Sequence, residues 1–238
     1  FDGDGYKITN LKVTGNSNNA GLFGYTQDAT IKNCNVTGEV SGSSDVGGIV
    51  GNADGKTQIL SCSFRGDVTG EDSYIGGIAG SARGTIKNCY ALADVTASFV
   101  DAGGIAGYAY HVTIENCYYS GMVSASGSAG GIVGNAWGGT IKNCVSLAES
   151  VTGSNANRIV GENRATLTDN YAWDGTTVNN ATVSADNAAG LNGADLTYTN
   201  GELSEQFSDI FKDTDSAWDF TDNGLPILKN VGGVQFSE

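Results

Sequence analysis

The sequence predicts an all-β fold, a parallel β-helix (β-solenoid) of about three short strands per coil with a small C-terminal helical cap. Three observations predict it: five evenly spaced cysteines, a recurring glycine-closed pentapeptide, and apolar alternation after each cysteine. Cys34, Cys62, Cys89, Cys117 and Cys144 lie 28, 27, 28 and 27 residues apart. Zinc and redox sites place cysteines in close pairs, so even spacing over this distance marks a structural repeat. The segments AGLFG, GGIVG, GGIAG, GGIAG, GGIVG and NRIVG close at Gly24, Gly51, Gly80, Gly107, Gly134 and Gly161, giving an independent period of 27, 29, 27, 27 and 27. About six residues later come TIKNC at Thr30, QILSC at Gln58, TIKNC at Thr85, TIENC at Thr113 and TIKNC at Thr140. A degenerate sixth copy reads TLTDN from Thr166, with Asn170 in the cysteine column and Arg158 where earlier copies have glycine.

Within each copy, the second, fourth and sixth residues after the cysteine are Val36, Gly38 and Val40, then Phe64, Gly66 and Val68, then Ala91, Ala93 and Val95, then Tyr119, Gly121 and Val123. A period of two is a strand with these residues inward; the polar residues between them are expected to face water. The GGIVG and TIKN pieces add two more short strands. None is long enough to bury its apolar face alone, so coils must stack. At a strand spacing of about 4.8 Å, six or seven coils make a rod roughly 30 Å long.

The cysteines are expected to be buried free thiols, because five is odd and Cβ atoms stacked about 4.8 Å apart lie beyond the usual disulfide separation. Asn33, Ser61, Asn88, Asn116, Asn143 and Asp169 form a neighbouring column that reads as a corner ladder. One further strand pair, FDGDGYKITNLKV, leads into the first full repeat, and a chain opening at Phe1 inside a strand pattern reads as a fragment. The solenoid is assigned to residues 1–170. Residues 171–238 are expected to form an irregular and helical cap packed on the last coil, with Leu203, Phe207, Ile210 and Phe211 on one helical face and Trp218, Phe220, Leu225, Ile227 and Leu228 following.

Thirty-six glycines with one proline suit a backbone that turns often and packs closely. The formal charge, 12 − 26 = −14, argues against nucleic acid or an anionic membrane as partner, and no run of 18 apolar residues offers a membrane span. The chain is expected to be a monomer without cofactors.

The GLFG, GGIVG and GGIAG segments followed by T-I-x-N-C resemble GLUG-motif repeats, which occur in large bacterial surface proteins, including the N-terminal regions of immunoglobulin-A-cleaving zinc metallopeptidases. The resemblance spans about residues 1–170. It implies an exported, cell-surface, right-handed β-helical module, non-catalytic and structural or adhesive. The zincin signature H-E-x-x-H needs two histidines, and only His111 exists, in a predicted strand. Any peptidase domain of a parent protein therefore lies outside this sequence.

Several features invite sharper chemistry. His111 lacks an accompanying nucleophile motif and reads as a surface histidine. The DGDG at Asp2–Gly5 lacks the distal bidentate glutamate of an EF-hand loop and reads as a turn, although Asp213, Asp215, Asp219 and Asp222 leave surface calcium open. Thr30, Thr85, Thr113 and Thr140 give one threonine per coil, interrupted by Gln58, which reads as β preference rather than an ice-binding array. Glu39, Asp67 and Asp94 repeat five residues after the cysteine and continue as Met122. They read as solvated charge, with a carbohydrate-active β-helix as the alternative that would need convergent carboxylates. The candidate binding site is a ridge three residues after each closing glycine. Gln27, Asp54, Arg83, Tyr110, Trp137 and Arg164 stand there, and Arg83, Tyr110, Trp137 and Arg164 could stack on sugar rings or grip a partner, such as host glycans or matrix proteins. The competing reading has Tyr110 and Trp137 packing on each other and over their own turns.

Overall fold

The computed structural model describes residues 1–197, 203–212, 216–220 and 224–232. The chain winds into a parallel β-solenoid with three sheets as its faces. Face I is built from the strands that follow the cysteines: Asn35–Gly42, Ser63–Gly70, Tyr90–Ala97, Tyr118–Ala125 and Val145–Thr152, flanked by Lys7–Val13 at one end and by Tyr171–Trp173 and Ala194–Leu196 at the other. Face II is a narrow corner of Val46–Gly47, Ile75–Gly76, Ala102–Gly103, Ser128–Gly130 and Asn155–Asn157. Face III carries Phe23–Gln27, Val50–Asp54, Ala79–Lys87, Ala106–Glu115, Val133–Lys142 and Val160–Asn163.

Three strands per coil are present, but they divide the repeat differently from the reading above. The first residues of GGIVG belong to face II and its last to face III, where they run on into TIK as one strand in the central coils. Consecutive glycines explain the split. An added Cβ at Gly104 would lie 2.2 Å from the Tyr119 ring and 2.1 Å from the Gly131 carbonyl oxygen, and one at Gly48 would lie 2.3 Å from the Phe64 ring. The corner backbone thus presses directly on the inward side chains of face I.

Equivalent residues stack in register. Val36, Phe64, Ala91, Tyr119, Ser146 and Ala172 form one ladder and are buried. All five cysteines are buried and free. Each thiol donates within its own corner, as Cys62 does to the Leu60 carbonyl at 3.3 Å and Cys144 to that of Lys142 at 3.2 Å; burial pushes the thiols of Cys89 and Cys144 well above the ordinary range. In the sixth copy Asn170 takes over the column, accepting from the Cys144 amide at 3.1 Å and donating to the Ile141 carbonyl at 2.8 Å. The adjoining Asn, Ser and Asp column is left-handed throughout, with φ from 49° to 55°, a conformation that short polar side chains tolerate. Within it Asn143 donates to Asn116 at 3.2 Å.

The C-terminal part departs from expectation in two ways. Coiling does not stop at residue 170, since Tyr171–Trp173 and then Ala194–Leu196 extend face I in parallel. Nor is the remainder confined to the last coils, which its helix does touch, Gln206 donating to the Thr197 carbonyl at 3.0 Å and Lys212 lying 3.5 Å from Asp169. The helix Leu203–Phe211, with Phe207, Ile210 and Phe211 buried as its periodicity predicts, begins a strap that runs back along the outside of face I. Tyr90 and Tyr118 are stacked at 4.8 Å beneath Trp218; Phe207 meets Tyr118 edge-on, and Trp218 donates to Asn88 at 3.2 Å. Tyr118 donates to the Pro226 carbonyl at 3.0 Å and Asn35 to that of Gly232 at 2.7 Å. The physical reason lies in the outward positions of face I. Tyr90, Tyr118, Val145 and Leu147 make an apolar stripe that needs a cover and are buried under the strap, with half-buried Leu92 at its edge.

Arg158 ends the stack. Its side chain is fully buried, with Nη2 2.7 Å from Asp195 Oδ1, Nε donating to the Asn192 carbonyl at 3.1 Å and Nη1 to that of Trp173 at 3.3 Å. The residue that looked like repeat degeneracy locks the terminal coils together.

Candidate binding ridge

The four predicted binding residues converge on the outer surface of face III. Tyr110 and Trp137 are register partners in adjacent coils. Their rings each carry a guanidinium: Arg83 Cζ lies 4.5 Å from the Tyr110 centroid and Arg164 Cζ 3.9 Å from that of Trp137. Both arginines are anchored from the side, Arg83 by Asp54 at 3.4 Å and Arg164 by Glu162 at 3.7 Å. Such stacking fixes the guanidinium plane while leaving its N–H edge toward solvent. The Gly55 amide, Tyr25 and Arg83 hold the Asp54 carboxyl below its usual range against the upward push of burial.

Sequence reasoning missed the second half of this surface. Tyr25, Asn52, Ser81, Tyr108, Asn135 and Glu162 form a parallel outward row two residues earlier in each coil. Tyr108 stacks on Tyr74 at 4.7 Å and approaches Tyr110 at 6.2 Å, widening the ridge into an aromatic and amide platform. The signal was available, because a strand period of two places residues i and i+2 on one face. His111, exposed with φ 49°, stands edge-on to Tyr110 at 4.6 Å.

Beside the platform Asp45 is half-buried; its Oδ1 finds no hydrogen-bond partner and burial pushes its pKa up to about 6. A carboxyl raised on folding favours the folded state most below its unfolded pKa of about 4, and that contribution is lost as pH rises through about 6. Screening at a half-exposed position limits the effect to about 1 kcal/mol. Asp45→Asn is therefore expected to flatten the dependence of thermal stability on pH between about 4 and 7 and to stabilise at neutral pH. An unchanged profile would contradict this.

The other candidates do not form a constellation. Asp2 accepts from Asn33 and the Asp4 amide, each at 3.0 Å, and pairs with Lys32 at 3.0 Å; these contacts, the Asn33 bond first, lower its pKa to about 2 within a left-handed turn. Asp219 lies in a short hairpin with Ile227, while Asp213, Asp215 and Asp222 lie outside the described residues. Among the described residues no group of three or more His, Cys, Asp or Glu is placed to hold a metal. The threonine column is in register with Gln58 on face III. Glu39, Asp67 and Asp94 are also in register, on face I and away from the ridge.

The repeat identity is decided by its extent. The model of the GLUG motif matches residues 42–69 and 71–96, and each match begins at the end of one face I strand, passes through faces II and III, and finishes in the next. These coils are GLUG repeats. Among solved structures, this chain is similar to that of a putative immunoglobulin A1 protease from Bacteroides ovatus, with a TM-score of 0.75 and 28% identity over 96% of this chain and 76% of that one. Among curated proteins nothing matches the sequence.

Proposed function

We propose that this chain is a non-catalytic structural and adhesion module of a larger bacterial cell-surface protein, working outside the cell, and that the face III platform is its contact surface. The observation that carries the reading is the adjacent pair of half-buried Tyr110 and exposed Trp137, each held under a stacked arginine, on a rod otherwise rich in acidic and small residues. Rigid aromatics with adjacent guanidiniums are the side chains that contribute most per residue at recognition surfaces. Partners of matching chemistry are glycans and matrix proteins; nucleic acid and anionic membranes are disfavoured by a net charge of −14. No described helix is long and apolar enough to cross a membrane.

A second reading draws on the Bacteroides ovatus neighbour: the chain as an accessory region of a secreted metallopeptidase whose catalytic domain is elsewhere. With His111 as the sole histidine, this sequence lacks the ligands of a zincin centre. The two readings are compatible, since a peptidase needs to be held at its substrate. Purified chain is expected to bind defined members of an arrayed set of glycans and matrix proteins. A folded chain that binds none would reduce the module to a spacer.

A further inference from the structure

Face I holds a groove that the ridge does not involve. A cleft of about 710 Å³ is lined by Arg65, Asp67, Leu92, Asp94, Ser120 and Leu225 among others. It adjoins a second of about 410 Å³ that shares Arg65, Gly66 and Asp67 and continues toward Lys7, Thr37 and Glu39. Together they cross the successive strands from Lys7–Val13 to Tyr118–Ala125, along the rod axis. The groove has a local cause. At Gly66 and Gly121, φ is 140° and 136°, and an added Cβ would lie 1.8 Å and 2.2 Å from the carbonyl oxygens of Gly38 and Ala93. These residues break the pleat in the middle of each strand, so the outward rows on either side of them splay around a floor of bare backbone. One row is Thr37, Arg65, Leu92 and Ser120; the other is Glu39, Asp67 and Asp94. Leu225 of the strap supplies a wall.

We infer that this groove binds a neutral, linear polysaccharide lying along the rod axis. Four features select that ligand. The volume falls in the range of small-ligand sites. Each coil repeats the same set of positions every ~4.8 Å, which suits a polymer of repeating units. The strands under the groove are paired on both sides, so a peptide finds no free edge to extend as a strand. Finally, both signs of charge are present: Glu39, Asp67 and Asp94 stand against Lys7 and Arg65 in the groove, and Lys12 beside it pairs with Glu39 at 3.7 Å. A groove of mixed charge favours neither polycation nor polyanion. Its carboxylates accept hydroxyl hydrogens, Arg65 donates, and Leu92 and Leu225 offer apolar patches to the C–H faces of sugar rings. Asp94 is held in position by accepting from the Met122 amide at 2.9 Å.

The test is calorimetric titration of the whole chain with linear hexasaccharides of glucose, N-acetylglucosamine, mannose and galactose, with hexalysine as a charged control. At least one hexasaccharide is expected to bind and to lose tenfold or more in affinity in Asp67→Asn/Asp94→Asn, whose side chains keep the native shape, while Phe99→Ala, at an exposed side chain that belongs to neither surface, binds it as the native chain does. Absence of binding by every hexasaccharide, binding indifferent to the aspartate changes, or tighter binding of hexalysine than of any sugar would each overturn the inference. Failure here leaves the reading of the ridge standing, because that reading is tested separately by loss of binding in Tyr110→Ala/Trp137→Ala.

Discussion

Asp195→Asn is expected to destabilise the chain by about 3 kcal/mol, although it changes one atom at a partly exposed position near the end of the stack. The Arg158 guanidinium is wholly buried, and Asp195 is the carboxylate that faces it, at 2.7 Å. An amide keeps the shape but removes the counter-charge, and a buried unpaired cation costs more than the lost hydrogen bond. The native carboxylate is committed to that role: burial pushes its pKa upward, but hydrogen bonds from Ser184, the Ala185 amide and Arg158 bring it below the usual range. With the folded pKa depressed, this contribution is present above the unfolded pKa of about 4 and lost as pH falls through the folded value. Urea unfolding at pH 7 measures the loss. A change under about 0.5 kcal/mol would mean that water or other groups carry the charge of Arg158.

Gly104→Ala is expected to cost more than about 3 kcal/mol and to leave little folded protein, a larger effect than most single substitutions of a surface glycine. The added methyl would meet the Tyr119 ring at 2.2 Å and the Gly131 carbonyl oxygen at 2.1 Å. Neither can give way. Tyr119 is buried, with its hydroxyl 2.8 Å from the carbonyl oxygens of both Ala93 and Met122 and donating to one of them, and Gly131 is itself pressed against Ser146. Gly224→Ala is the control, since nothing lies within 4 Å of its added Cβ. Circular dichroism and thermal melting of the pair would check this; a Gly104→Ala protein melting near the native temperature would show that the corner between faces I and II is looser than its geometry implies.

The solenoid was legible because stacking turns periodicity into columns. Cysteine, asparagine and the inward ladder each recur once per coil, and each column sits where its chemistry demands. What the period could not convey is what covers the outside. An apolar helix face in Leu203–Phe211 announces burial but not where; the answer lay in Tyr90, Tyr118 and Val145, directly after the cysteines, whose register partners in earlier coils, Asn35 and Ser63, are polar and give no sign of a covered stripe. Arg158 was visible only as a departure from the repeat, since its partner Asp195 is 37 residues away in an irregular stretch. The ridge was legible as a column. Its arginine stacking was not, because that depends on side-chain direction and not on spacing.

The most direct measurement of the central claim sets the native chain and Tyr110→Ala/Trp137→Ala side by side on an array of glycans and matrix proteins, after both are shown to be folded. The account predicts that the native chain binds specific members of the array and that the variant loses those the ridge holds, keeping only linear neutral glycans held by the face I groove, with the native melting temperature unchanged within a few degrees. A variant that keeps every interaction of the native chain would place the contact surface elsewhere on the rod and contradict the role assigned to the ridge.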